Sequence, residues 1–482
     1  MIILLTAFCA AGCFHYPENP PLTAINTNEG YRYSVVRDDP DGDKPFVLLS
    51  FSGGGTRAAA FAFGLMEELR NLEYSKPDGV KRKLLDDVEI ISSVSGGSFT
   101  SAYYALFPGE FFTKFPDRFL YRNVEGALLL RVCNPYNWFR LAYPDFSRID
   151  MAEEYYNETI FERKTFAELV NRQRGSAPFL VLNATDIGIT HRFEFTQDQF
   201  DLLCSDLSGV RVSRAVAASS NFPVAFPPMT MNINKQNCGP LPVWIDAAMK
   251  DQGLNRRKTD ALAALSYRAE GRLYAHLLDG GISDNLGLRG PFQAVTTNDS
   301  AWSILNQINR KRLKQLMVIA VNAKTTKHSD WDKTSKPPGI TKVLGVVMNG
   351  PMDDVSFDSV EMTENHFGYM KQLSDTVNAC NNLLKECPAV KPRTNPITTD
   401  FTFTELSFDR IPDPRLRRCL QELPTSFYLP RETVDLLRVT AAQLLMTSDS
   451  FVKGMQELDP AWRPRTVVID GKLVDTVCGV QR

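Results

Sequence analysis

Three strand-like segments in this chain each stop at a glycine-rich turn, and those turns restrict the possible folds more than any other feature. Residues 46–51 run into Ser52-Gly53-Gly54-Gly55, residues 88–94 into Ser95-Gly96-Gly97, and residues 273–278 into Asp279-Gly280-Gly281. The first, Phe46–Phe51, is a nearly unbroken apolar run, the pattern of a strand buried on both faces, as in a parallel sheet covered by helices. Glycine after such a strand lets the next helix turn back sharply.

Helical patterns follow the first two turns, over residues 57–69 and from Gly96 to about residue 106, and further strands read at 179–182 and 316–321. Strands alternating with helices predict an α/β sandwich of three layers with a mainly parallel central sheet. The main domain is expected over residues 46–330. Residues 331–482 read as a mainly helical C-terminal extension, with helices at 373–384 and 431–458.

The 43% hydrophobic content is enough for a large core, and the net charge of −2 leaves no basic footprint for a nucleic-acid partner. Residues 1–12 are almost wholly apolar and end in Ala10-Ala11-Gly12 before Cys13. This is similar to a bacterial lipoprotein signal and is too short to span a bilayer. The expectation is lipidation at Cys13, with the chain held in the bacterial cell envelope. Phe14 after the cysteine, where aspartate is absent, favours the outer membrane. Residues 13–45, with Pro17, Pro20, Pro21, Pro40 and Pro45, read as a tether.

Seven cysteines follow Cys13, and an exported chain can pair six of them. In one helix Cys380 and Cys387 would lie about 10 Å apart, too far to bridge, so they pair only if the helix stops between them. No CxxC or HExxH spacing occurs, so neither a metal nor another cofactor is expected.

Ser95 is the candidate nucleophile. A strand that turns abruptly into a helix lifts a serine above the sheet edge, and the turn needs small neighbours, here Ser93, Gly96 and Gly97. Gly53, Gly54 and Gly55 expose backbone N–H groups at a helix start, which suits an anion such as a tetrahedral oxyanion. Arg57 either adds charge there or anchors the loop. Asp279 is the candidate base; taken singly, Asp-Gly is an ordinary turn pair. A rival reading takes Gly53 to Ala58 as a G-x-G-x-x-A dinucleotide fingerprint, but the second strand ends in a serine and not in the required acid.

None of the five histidines sits in a supporting motif. His276, three residues before Asp279 on the same strand, is expected to face the other side. The chemistry therefore falls to a Ser–Asp pair, in which the carboxylate takes the serine proton.

Together these motifs resemble the patatin-like phospholipases, over about residues 46–325. Gly53-Gly54-Gly55-Thr56-Arg57 looks like the family's oxyanion loop, Ser93-Val94-Ser95-Gly96-Gly97 its G-x-S-x-G serine, and Asp279-Gly280-Gly281 its aspartate. Ala217-Ala218-Ser219-Ser220-Asn221-Phe222-Pro223 is similar to a block preceding that aspartate, and Asn285 fits the family's asparagine six residues after it. Ser52, Ala58, Ser93 and Gly287 depart from the usual pattern without removing a catalytic atom.

The resemblance implies a metal-independent lipid acyl hydrolase of phospholipase A or lysophospholipase type, acting on a lipid or membrane-surface substrate. The alternative is a lipid-binding or acyltransferase lipoprotein on the same fold. Residues 110–150 carry ten aromatics and read as a core-packed helical insertion, with a lid or membrane-facing surface as the other reading.

Overall fold

The computed structural model describes residues 19–479 except 38–41, 144–145, 224, 235–237, 298, 300–301, 306–307, 309–312, 327–334, 336–338 and 386–397, and of residues 340–349 and 351 only the backbone. Cys13, His15, His328 and Cys387 lie outside the described residues, as does the expected signal.

The centre is an eight-stranded sheet. Its strands are β1 (Phe46–Phe51), β2 (Val88–Val94), β3 (Phe179–Asp186), β4 (His191–Glu194), β5 (Met229–Asn232), β6 (Tyr274–Asp279), β7 (Gln315–Asn322) and β8 (Asp400–Ser407). The order is β8-β7-β1-β2-β3-β6-β5, with β4 also paired to β3. The run from β8 to β3 is parallel. β4 and β6 are antiparallel to β3.

The helices that matter for the site are α1 (Gly55–Asn71), α2 (Gly96–Leu106), α3 (Val124–Cys133), α4 (Pro135–Leu141), α5 (Arg148–Thr159), α6 (Val212–Ser219), α7 (Gly281–Asp284), α8 (Ile340–Leu384), α9 (Arg431–Thr447) and α10 (Asp449–Leu458). Every residue of β1, β2, β3 and β7 is buried, because these strands are covered on both faces. The fold is the expected α/β sandwich with a mainly parallel sheet. Among the described residues no helix is long and apolar enough to cross a membrane.

The part after residue 330 is mainly helical, as expected, but it is built into the main sheet. β8 pairs in register with β7, from Asp400 beside Gln315 to Ser407 beside Asn322. α9 packs along α1, where Arg438 reaches Glu67 at 2.8 Å, and Arg465 pairs with Glu68. The sheet therefore runs across the boundary expected at 330.

The tether reading is corrected for residues 19–37. Tyr31 is buried, stacks on Phe179 at 5.1 Å and accepts the Leu180 N–H. Arg32 is buried against Asp198 at 2.7 Å and Asp201 at 2.6 Å. One aromatic anchor and one buried arginine outweigh the loop-like composition.

Two disulfides join Cys204 to Cys238 and Cys419 to Cys478, while Cys133 and Cys380 have no such partner among the described residues. α8 runs unbroken through Cys380 to Leu384.

Candidate active site

Strand register brings the three glycine turns together. Phe51 lies beside Ser93, Val94 beside Asn183, and Ala184 beside Asp279. β3 therefore separates the serine strand from the aspartate strand by a one-residue step. β6 approaches antiparallel and stops level with the end of β2, so Asp279 arrives from the opposite direction to Ser95.

Ser95 has φ 50° and ψ −119°, a left-handed conformation that a non-glycine residue adopts only when its surroundings hold it there. The holding contacts are specific. The Ser95 N–H donates to Ser219 Oγ at 2.9 Å, and Ser219 Oγ donates to Asn183 O at 2.6 Å and lies 2.9 Å from Ser98 Oγ. Ser93 hydrogen-bonds Ser101 at 2.6 Å, filling the space beneath the turn with small polar groups. Gly96 must be glycine, because a Cβ there would lie 2.1 Å from the Gly55 carbonyl oxygen. A Cβ on Gly53 would strike Asn285 Oδ1 at 2.5 Å and approach Ser95 Cβ to 3.3 Å.

The Ser95 side chain lies beside the Asp279 carboxylate, near enough to help hold its ionised form. Both residues are almost closed off, Ser95 at 7% exposure and Asp279 at 5%. Burial pushes the Asp279 carboxyl up to about 6, against the Gly281 N–H and the Ser95 hydroxyl, which favour its ionised form. Asp279 Oδ1 accepts the Gly281 N–H at 2.8 Å. Its own N–H donates to Asn221 O at 2.9 Å, and Thr185 Oγ1 donates to its carbonyl at 2.9 Å.

The glycine loop divides its N–H groups between structure and vacancy. Gly53 N–H donates to Asn285 O at 3.0 Å, and Thr56 N–H to Ser426 O at 2.9 Å. Between them, the N–H groups of Gly54 and Gly55 donate to nothing among the described residues. They stand at the start of α1, where the helix dipole adds positive character.

Arg57 is the anchor of this loop. Its guanidinium donates to Ala323 O at 2.9 Å, Leu423 O at 2.8 Å, Pro424 O at 2.9 Å and Thr425 Oγ1 at 3.2 Å. Residues 423–426 thus strap the glycine loop from the C-terminal part of the chain. The dinucleotide alternative loses its phosphate cradle here, because Asn285 and Ser426 occupy two of the N–H groups it needs.

The described histidines are engaged elsewhere: His191 with Asp260 at 3.2 Å, His276 with Thr230 at 3.1 Å and His366 against the Phe292 ring. His276 is exposed while Asp279 is buried, so the two face opposite sides of β6 as expected. Met352 of α8 lies over the Asp279 turn, its methyl 3.4 Å from where a Gly281 Cβ would stand. Sequence reasoning missed the Ser426 strap and Met352, since neither carries a motif.

The sequence model described as Patatin-like phospholipase matches residues 49–291, half of the chain. The protein belongs to the patatin-like phospholipase family. The matched span carries all three glycine turns, Ser219 and Asn285.

No curated protein sequence matches this patatin-like chain. Among solved structures it is similar to human GIVD cytosolic phospholipase A2, at 13% identity and TM-score 0.35, over 60% of this chain and 47% of that one. The same human enzyme in complex with methyl gamma-linolenyl fluorophosphonate inhibitor and terbium chloride matches at 14% identity and TM-score 0.30, over 57% of this chain and 40% of that one. VipD from Legionella pneumophila matches at 10% identity and TM-score 0.26, over 92% of this chain and 75% of that one. This chain thus spans less than half the length of the human chains it matches.

Proposed function

We propose that the protein is a serine lipid acyl hydrolase of phospholipase A or lysophospholipase type, with Ser95 as nucleophile and Asp279 as its base. The observation that carries this is a nearly closed-off Ser95 beside a buried carboxylate raised to about 6, together with two uncommitted N–H groups on the glycine loop. Family membership supports a lipid ester as substrate.

Ser95 Oγ attacks the ester carbonyl carbon and its proton passes to Asp279. The oxyanion forms against the Gly54 and Gly55 N–H groups, each worth about 3–4 kcal/mol when well placed. The C–O bond then breaks, and the departing alcohol takes the proton back from Asp279. Water attacks the acyl-enzyme by the same route, giving its proton to Asp279; Ser95 leaves with that proton and the fatty acid is released.

Two disulfides support a site outside the reducing cytosol. With the Cys13 signal, this fits a lipid-anchored protein of the bacterial outer membrane. Ser95→Ala and Asp279→Asn each reduce ester hydrolysis to background with the fold intact. Undiminished turnover in either variant refutes the pair.

A further inference from the structure

The aromatic insertion splits into two halves. Phe111, Phe115, Phe119 and Phe146 are buried in the core. The α3–α4 hairpin is different: Leu129, Leu130, Tyr136, Trp138 and Phe139 are exposed, Leu130 at 75% and Phe139 at 74%. Five large apolar side chains exposed within eleven residues of one hairpin are more than scattered surface hydrophobics, and a surface of that kind calls for a partner.

We propose that this side of the hairpin inserts into the surface of a zwitterionic phospholipid bilayer and holds the candidate active site at the lipid interface. The proposal rests on the lipid-hydrolase reading above. Three observations select a bilayer as the occupant. The first is position. Ser426 Oγ hydrogen-bonds Glu125 of α3, and the Ser426 carbonyl accepts the Thr56 N–H just after the glycine loop. Ser426 thus ties the first turn of α3 to the glycine loop of the candidate site.

The second is chemistry. Trp138 spends its indole N–H on Val132 O at 2.8 Å, so what it turns outward is hydrocarbon. Leucine, phenylalanine and tryptophan on a short amphipathic element are the side chains that settle at the boundary between headgroups and acyl chains.

The third is charge. Arg131 pairs with Glu158 at 2.9 Å and Arg140 with Glu154 at 2.5 Å, both partners on α5. The arginines beside the patch are neutralised, so attachment comes from apolar insertion and not from attraction to anionic lipid. The hairpin itself is rigid enough to present the patch. Asn134 ends α3 and caps α4, with its side chain accepting the Tyr136 N–H, and Asn137 donates back to Arg131 O at 2.7 Å.

The test uses the full chain carrying Cys13→Ser, so that no acyl anchor contributes, and Ser95→Ala, so that no lipid is consumed. It is expected to co-sediment with phosphatidylcholine vesicles, almost equally at about 0.1 M and about 1 M salt. Leu130→Ser with Phe139→Ser is expected to lower vesicle partition by about tenfold or more. Brominated acyl chains are expected to quench tryptophan fluorescence, and Trp138→Phe to remove most of that quenching. With Ser95 restored, the double variant should hydrolyse a soluble short-chain ester at the parent rate and vesicle lipid about tenfold more slowly. Equal partition of variant and parent, or binding abolished by salt, overturns the proposal. A dimer in ultracentrifugation that dissolves with the same two substitutions also overturns it, by making a second copy the occupant. Failure of the hydrolase reading shows separately, as no turnover of the soluble ester.

Discussion

The hydroxyl of Ser219 accepts the backbone N–H of Ser95 at 2.9 Å and donates to Asn183 O at 2.6 Å. One side chain thus joins the candidate nucleophile, the strand between serine and aspartate, and the block whose Asn221 carbonyl holds Asp279. Removing it leaves a buried donor and a buried acceptor unpaired, a cost of about 1–3 kcal/mol. Ser219→Ala is expected to lower kcat about tenfold to a hundredfold with KM little changed, because the elbow relaxes and the substrate surface does not. Steady-state kinetics beside a thermal melt check this; wild-type kcat in a destabilised variant contradicts the scaffold role.

Asp279 sets an acid limb. Its carboxyl is raised to about 6 by burial, and only the ionised form takes the Ser95 proton. Activity on a neutral soluble ester should therefore rise with pH through an apparent value near 6 and level off above it. A limb near 4, the ordinary range for a solvated aspartate, contradicts the buried-base assignment.

The same shift carries a stability consequence of definite sign. A carboxylate whose folded pKa is raised opposes folding once the pH exceeds the unfolded value, and the opposition is complete above about 6. At pH 8 the cost is roughly 3 kcal/mol. Asp279→Asn removes it, so that variant is expected to melt no lower than the parent at pH 8 and to lose any advantage below about pH 4. A clear drop in melting temperature at pH 8 contradicts this.

Arg57 holds the C-terminal strap by two carbonyls and a hydroxyl, and is itself fixed to the Ala323 carbonyl. Lysine cannot serve these partners with its point-like ammonium, so Arg57→Lys should cost about 2–4 kcal/mol and loosen residues 423–426. Hydrogen exchange is expected to rise at Thr56, whose N–H is bonded to Ser426 O. Unchanged exchange there indicates that the strap stands without the arginine.

Much of this was legible in sequence, for physical reasons. β1, β2, β3 and β7 show in the sequence because the fold buries them on both faces, whereas β6 is buried only at alternate residues and is marked by the Asp-Gly-Gly turn at its end. β8 was missed because its Thr and Phe alternate, as suits a strand at the sheet edge, and it lies far from the other strands in sequence. The candidate site residues stood out through their glycines, since the close approach of Asn285 to Gly53 and of the Gly55 backbone to Gly96 leaves no room for a side chain. Their arrangement was not readable. That Asp279 reaches Ser95 across β3, on an antiparallel strand, is a matter of strand order, which no local pattern encodes. The engagement of Arg57 by residues 423–426 was hidden likewise, because its partners are backbone carbonyls that any residue supplies.

The central claim is an activated Ser95, and a fluorophosphonate probe tests it most directly. The probe is applied to the purified full chain, and the modified residue is mapped by mass spectrometry. The account predicts labelling at Ser95, absent in Ser95→Ala and strongly reduced in Asp279→Asn. Labelling of Ser95 that is undiminished in Asp279→Asn, or no labelling of the folded protein in the presence of lipid vesicles, would contradict it.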